Sequence, residues 1–194
     1  ALVEGTHFKK EWLNWKGLAH RAILSAASDV TAMGGQPKGF LLSLGIAADT
    51  RLDDLRDFVR SIARLCDETG MTPYGGDTVR SERIFVDVAV VGEVASDRVL
   101  RQSGSQPGDA LWVTGTLGAA RAGWMSRDSS KRDTEGARDR FWYPPCRWPL
   151  LERLHSTLPI RAATDLSDGL ALDLKKILRG TSCGAAVQLD DLPI

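Results

Sequence analysis

The stretch Tyr74–Arg80 constrains this chain most, because two adjacent glycines precede an acid, a hydroxyl and a base within seven residues. Glycine lets the backbone turn sharply and leaves no side chain above it, so a bulky anion can approach closely. Asp77 could bind Mg²⁺, while backbone N–H groups and Arg80 could bind polyphosphate oxygens. Gly-Gly-Asp is also common in plain turns. The stretch therefore predicts a loop and leaves both interpretations of it open.

The size and net charge of the chain limit how many domains it can form and which kinds of partner it can bind. It has 194 residues, 43% of them hydrophobic, enough for one large or two small domains. Its 25 basic and 25 acidic side chains cancel, which argues against a nucleic-acid or membrane-surface partner. Both ends read as cuts within a larger protein, with no leader and no membrane-spanning run. The odd number and the spacing of Cys66, Cys146 and Cys183 predict reduced, buried thiols in a cytoplasmic protein.

Strand and helix patterns alternate in the first half of the sequence. Apolar residues recur at helical spacing from 15 to 33 and again from 51 to 69, where Asp49 and Thr50 should cap the second helix. Runs at 2–3, 39–47 and 84–94 predict strands, and the last of these is rich in β-branched residues.

A Pro/Gly-rich patch at 98–109 predicts a domain boundary, dividing the chain into 1–104 and 105–194. Beyond the patch, the patterns predict strands at 110–114 and 184–189. Helices are predicted near 119–125, around Leu150 and from about Leu170. The charge-dense run 127–140 should be a mobile surface loop.

Acidic residues recur where ligands often bind. Asp29 lies within a helix among small residues, where an acid needs a partner such as a metal ion. Asp165-Leu166-Ser167-Asp168-Gly169 places two carboxylates and a hydroxyl between a predicted strand and a helix. Either acid could simply cap that helix, but the pair with Ser167 favours metal–phosphate binding. His7, where a strand gives way to a loop, could contact a ligand or be structural.

Five motifs in order resemble those of the thiamine-monophosphate kinases, a family of the aminoimidazole ribonucleotide synthetase superfamily. Together they extend over nearly the whole chain: Val3–Phe8, Ser28–Gly34, Gly75–Thr78, Arg101–Asp109 and Asp165–Leu170.

The resemblance implies an α+β fold of two α/β-layered domains, and a homodimer whose N-terminal domains share a β-barrel. It implies that ATP, with several Mg²⁺ ions, phosphorylates thiamine monophosphate to thiamine diphosphate. It also implies no protein nucleophile, so that catalysis consists of positioning and charge neutralisation. The carried-over residues are metal ligands Asp29, Asp77, Asp165 and Asp168, nucleotide contacts Gly76, Asp77, Arg101 and Ser167, and the substrate contact His7.

The sequence also departs from the family. The acid- and glycine-rich segment that opens the family's sequences is not present, nor is the last third of its C-terminal domain. Residues 21–27 differ from the family's usual helix. Two alternatives therefore stand beside the kinase: a related ATP-dependent synthetase or phosphotransferase with another acceptor, and a non-catalytic nucleotide-binding dimerisation module.

Overall fold

The computed structural model describes residues 1–126 and 136–194, and within them the fold is α+β. A four-stranded sheet and two long helices form the first half, and four shorter helices follow. The strands are β1 (Leu2–Val3), β2 (Gln36–Ile46), β3 (Thr72–Arg80) and β4 (Phe85–Glu93). The helices are α1 (Trp15–Ala32), α2 (Leu52–Thr69), α3 (Ala119–Met125), α4 (Ala137–Trp142), α5 (Trp148–Thr157) and α6 (Leu170–Leu178).

The sheet has the strand order β1-β4-β2-β3, in which β2 runs parallel to β3 and antiparallel to β4. Helices α1 and α2 cover one face of this sheet, where Leu18 and Phe58 form a core cluster with Leu44 and Val86. The core has two adjoining clusters, one around Leu18, Phe58 and Val86 and the other around Ile23 and Phe40. The predicted helices and strands of the first half are confirmed to within a few residues at their ends.

The stretch predicted to be a loop is instead most of strand β3, and the prediction is wrong because β2 offers a parallel edge for it to pair with. The pairing shifts between Phe40–Pro73 and Leu41–Gly75, so Tyr74 is an extra residue that bulges from the strand. Gly75 and Gly76 have φ of 142° and 153°, which side-chain-bearing residues rarely adopt. The glycines therefore serve an irregular edge strand rather than a turn.

The predicted cap of α2 is also wrong. The N-cap residue is Arg51, which makes no side-chain cap hydrogen bond. The carboxylate of Asp49 forms a salt bridge with Lys10 instead, so it is not available to the helix N–H groups. The hydroxyl of Thr50 is buried without a hydrogen-bond partner among the described residues.

The second half is helical and irregular. Over the described residues after Glu93 no strand forms, so the strands predicted at 110–114 and 184–189, and before Asp165, are wrong. A strand requires a neighbour with which to exchange backbone hydrogen bonds. Here only isolated bonds form, such as that from Leu117 N–H to the carbonyl of Pro193.

The charged run predicted to be a mobile loop falls partly outside the described residues, at 127–135. The prediction is wrong for Ala137 onward, which forms α4, because Phe141 and Trp142 are buried there against Trp12 and Leu18. Aromatic burial thus overrides the charge-rich composition. In the described part of the chain, no helix has the length and apolar character needed to cross a membrane.

Candidate functional site

The second half of α1 meets the loop before α6 at a polar contact. Ser28 Oγ lies 2.8 Å from Asp165 Oδ2 and also 2.8 Å from the carbonyl oxygen of Ser25. Because a hydroxyl has a single proton, Ser28 can donate to only one of these acceptors at a time. The contact joins residues 137 positions apart in sequence and brings two of the predicted motifs together.

Asp29 lies beside this contact, in a position unfavourable for its own negative charge. Burial and the neighbouring charge of Asp165 raise the pKa of Asp29, and the ammonium group of Lys176 partly opposes the increase. Two carboxylates that repel each other in a partly buried place form a site that a cation would stabilise. The donor chemistry, carboxylate and hydroxyl oxygen, suits Mg²⁺. Among the described residues, however, no three acidic, histidine or cysteine side chains already surround a common point.

The start of α6 adds a second charged group to the site. Lys176 Nζ lies 3.3 Å from Asp168 Oδ2 and 2.6 Å from Asp173 Oδ1. Asp173 is completely buried, and its Oδ2 accepts the N–H groups of Asp168 and Gly169 at 2.9 and 3.0 Å. Burial by itself would raise the pKa of Asp173, but the bonds to Lys176 and to these two N–H groups lower it.

Sequence reasoning missed Asp173 and Lys176. The available signal was their spacing, because residues four and seven positions after Gly169 lie on the side of the helix that carries the Asp165–Gly169 loop. An acid in the first turn of a helix is ordinary, which is why its complete burial could not be anticipated.

The motif that contains Arg101 lies next to the acidic loop. The N–H of Ala163 donates to the carbonyl of Arg101 at 3.0 Å, and Gln102 Nε2 donates to Thr164 Oγ1 at 3.3 Å. These two bonds bring the segment around Arg101 to within two residues of Asp165. Ser167 is exposed between the two acids.

The remaining predicted residues lie elsewhere. Nδ1 of His7 accepts the N–H of Val3 at 3.0 Å, so His7 closes its own loop. Asp77 is exposed on β3, its Oδ1 accepts the N–H of Thr78, and it is in register with Ser43. The neighbours of Ser43 on β2, Leu42 and Leu44, pack against the helices. By strand alternation Asp77 therefore faces away from α1, and Gly76 lies beside it.

The structure thus brings together Asp29, Asp165 and Asp168, with the backbone of Arg101 close by. Within the described ranges, no hydrogen bond or ion pair connects Asp77 or His7 to that group.

Both halves of the chain match family models. Residues 1–94 match the N-terminal domain, and residues 106–194 the C-terminal domain, of AIR synthase related proteins. The chain belongs to this family.

Within the family, the chain is similar to thiamine-monophosphate kinases. It is 32% identical to that of Salmonella typhimurium over 99% of its own length and 59% of the relative's. The solved thiamine-monophosphate kinase of Stenotrophomonas maltophilia aligns with all of the chain and 62% of its own, at 30% identity and a TM-score of 0.89. A structure described as AaThiL complexed with AMPPCP and TMP covers 92% of this chain and 57% of its own, at 30% identity and a TM-score of 0.82. The chain therefore spans about three fifths of the length of these relatives.

Proposed function

We propose that the protein containing this chain is an enzyme that transfers the γ-phosphoryl group of ATP to thiamine monophosphate, forming thiamine diphosphate. The observation that carries the proposal is the convergence of Asp29 and Asp165, with Ser28 between α1 and the acidic loop. A relative of similar fold that was solved with AMPPCP and TMP supports the choice of ligands.

The donor set fits divalent cations, because Asp29 and Asp165 repel each other and burial already disfavours the charge of Asp29. Mg²⁺ bound there would neutralise charge on the phosphates during transfer. We assign the metal-ligand role to Asp29, Asp165 and Asp168, which lie near one another, and also to Asp77, which lies apart from them on β3. We assign nucleotide contacts to Gly76, Asp77, Arg101 and Ser167, and a contact with the acceptor to His7.

Because the acceptor's own phosphate is the nucleophile, no side chain need be activated. This chain's residues would instead hold the two substrates in line and keep their phosphate oxygens next to bound cations. Ser28 would orient Asp165 through the 2.8 Å hydrogen bond, so that one carboxylate oxygen stays free for a ligand.

We further propose a boundary between domains 1–104 and 105–194, which the separate matches of 1–94 and 106–194 support. We also propose a homodimer in which the sheets of two copies form one barrel. Strand β3 supports this, since all of its residues are exposed at the edge of the sheet. Cys66, Cys146 and Cys183 are half-buried, so the prediction that they are buried is wrong, but they are unpaired. Unpaired thiols favour a cytoplasmic location.

The decisive variant is Asp29→Asn. It removes one of two repelling charges, so the fold should be at least as stable, whereas Mg²⁺-dependent binding of a non-hydrolysable ATP analogue should weaken by about a hundredfold. Isothermal titration measures the binding, and thermal unfolding measures the stability. The matched control is Asp190→Asn, which removes an exposed acid from a short helical turn at 189–191.

Binding of the analogue by Asp29→Asn as tight as that by the parent would refute the metal assignment. Release of ADP by the longer protein with other phosphate acceptors, but not with thiamine monophosphate, would instead identify a related phosphotransferase.

A further inference from the structure

Asp173 is a buried acid in an unusual place. Its side chain is completely inaccessible to solvent, and it is the one charged residue of the described chain that is buried to that degree. Burying a carboxylate is costly unless hydrogen bonds and an opposite charge compensate it. Here Oδ2 accepts two backbone N–H groups. Oδ1 lies 2.6 Å from the ammonium of Lys176 as an ion pair, but it has no partner of hydrogen-bond geometry among the described residues. Two backbone hydrogen bonds to one buried carboxylate oxygen indicate that the acid holds a backbone turn in place.

Asp173 holds the turn at Asp168 and Gly169, which carries the proposed metal ligand Asp168. The two N–H groups belong to consecutive residues, Asp168 and Gly169, immediately before α6. Gly169 has φ of 101°, so the turn is one that other residues adopt poorly. A single acceptor bonded to two consecutive N–H groups fixes the orientation of both peptide planes, and with them the direction in which the side chain of Asp168 leaves the backbone.

Lys176 provides a second connection between the same groups. Its ammonium lies 2.6 Å from Asp173 and 3.3 Å from Asp168, so one cation lies between the buried acid and the exposed one. Its charge also reaches Asp29, where it opposes the rise in pKa caused by burial and Asp165. Lys176 is thus an internal counter-ion for this end of the acidic group.

We propose that Asp173 is a positioning residue that holds the 165–169 loop in the shape required to bind a divalent cation and nucleotide phosphates, without touching either. The inference rests on the proposed function for its ligand, but the hydrogen bonds that carry it do not. Lys176 supplies the opposite charge next to the buried carboxylate of Asp173, 2.6 Å from its Oδ1.

The variants separate shape from charge. Asp173→Ala removes the acceptor of both N–H groups. Asp173→Asn keeps an oxygen that can accept them and loses only the charge. Lys176→Met removes the counter-ion, and Lys175→Met is its matched control, an exposed lysine on the same helix. If Asp173→Ala does not fold, Asp173→Glu takes its place, because it keeps the charge and displaces the acceptor by one methylene.

The first measurement is hydrogen exchange at the amide of Gly169, without ligand. Asp173→Ala should exchange about tenfold faster or more, while Asp173→Asn should keep most of the parent's protection. The second measurement is Mn²⁺ binding in the presence of a non-hydrolysable ATP analogue, followed by electron paramagnetic resonance of free Mn²⁺. Asp173→Ala should raise the Mn²⁺ concentration for half-saturation by about tenfold or more, and Asp173→Asn should raise it less.

The outcomes are distinguishable. A role in folding alone would lower the melting temperature of Asp173→Ala but leave Mn²⁺ half-saturation of the folded protein unchanged, which would overturn the inference. Parent protein that binds no Mn²⁺ with the nucleotide would overturn the proposed function instead. In that case unchanged exchange at Gly169 in Asp173→Ala would show that Asp173 does not hold the loop either.

Discussion

At the scale of single residues, the glycine pair of β3 shows how closely the backbone of this sheet is packed. A Cβ atom added to Gly76 would lie 1.7 Å from the carbonyl oxygen of Leu42, whereas one added to Gly75 would meet only the Leu41 side chain, at 3.9 Å. Both glycines have a positive φ, but only Gly76 also lies against the backbone of the neighbouring strand, at Leu42.

The two positions should therefore respond differently to alanine. Gly75→Ala should cost about 1 kcal/mol of unfolding free energy, from backbone strain alone. Gly76→Ala should cost about 3 kcal/mol, because the neighbouring strand must move as well. Denaturant unfolding of both variants measures the difference. Equal losses would mean that β2 and β3 are not paired in the register described.

The sequence indicated which ligands Gly75, Gly76 and Asp77 could bind, but it did not predict that these residues form part of a strand. Glycines at a positive φ occur in turns and in bulged strands alike, and only the partner strand decides between them. In the same way, the resemblance implied that Asp29, Asp77, Asp165 and Asp168 share a metal-binding role, but nothing in the sequence specified that Ser28 would bind Asp165. The role of Asp173 could not be predicted from the sequence, because its burial depends on the ion pair with Lys176 and on hydrogen bonds from backbone N–H groups of the preceding turn.

At the scale of elements, α1 and α2 were predictable, because their apolar residues recur at helical spacing and pack on the sheet. The second half was less predictable. Its apolar runs have strand-like composition, yet in the described chain they find no ladder partner and remain exposed, as the 84% exposure of Trp112 illustrates. Composition reports a preference for extended backbone, while a strand also requires a neighbour.

Helix α1 also makes the stability of the fold depend on pH. His20 lies half-buried on α1 with its ring 5.2 Å from that of Tyr143, and its Nδ1 has no hydrogen-bond partner on the described part of the chain. Burial lowers the pKa of His20, and the charge of Glu68 offsets part of that decrease. The folded protein therefore binds fewer protons than the unfolded chain just below the unfolded pKa of about 6.5.

It follows that His20 contributes stability above the unfolded pKa and that this contribution decreases as the pH falls through the depressed folded value. We expect the unfolding free energy of the parent to decrease from pH 7 to 5, and the decrease to be smaller in His20→Gln. Denaturant unfolding at a series of pH values measures both slopes. His155→Gln, on α5, removes a histidine elsewhere and should keep the parent's slope; a slope in His20→Gln as steep as the parent's would contradict the assignment.

At the scale of the whole molecule, the sheet has one face that nothing in the described chain covers. Helices α1 and α2 pack on the opposite face. On the open side Leu41 and Val91 are 47% and 51% exposed, and on the edge strand Val79 is 42% exposed. The same face carries the carboxylates of Asp77 and Asp87, which are both in register with Ser43. Exposed apolar side chains beside an unpaired edge strand are suited to a second copy of the same sheet, as the proposed dimer barrel requires.

A charge placed on that face tests the proposed dimer. Leu41→Asp would replace an apolar contact by a third carboxylate beside Asp77 and Asp87 between the two sheets. It should therefore weaken self-association by about a hundredfold or more while leaving the α1–α2 face intact. Sedimentation equilibrium measures the dissociation constant. Val59→Asp on α2, whose side chain is 60% exposed, introduces the same charge on the helical side and should leave the dimer unchanged. Equal weakening by both variants, or a parent that stays monomeric at micromolar concentration, would mean that copies of the chain do not associate through the open face of the sheet.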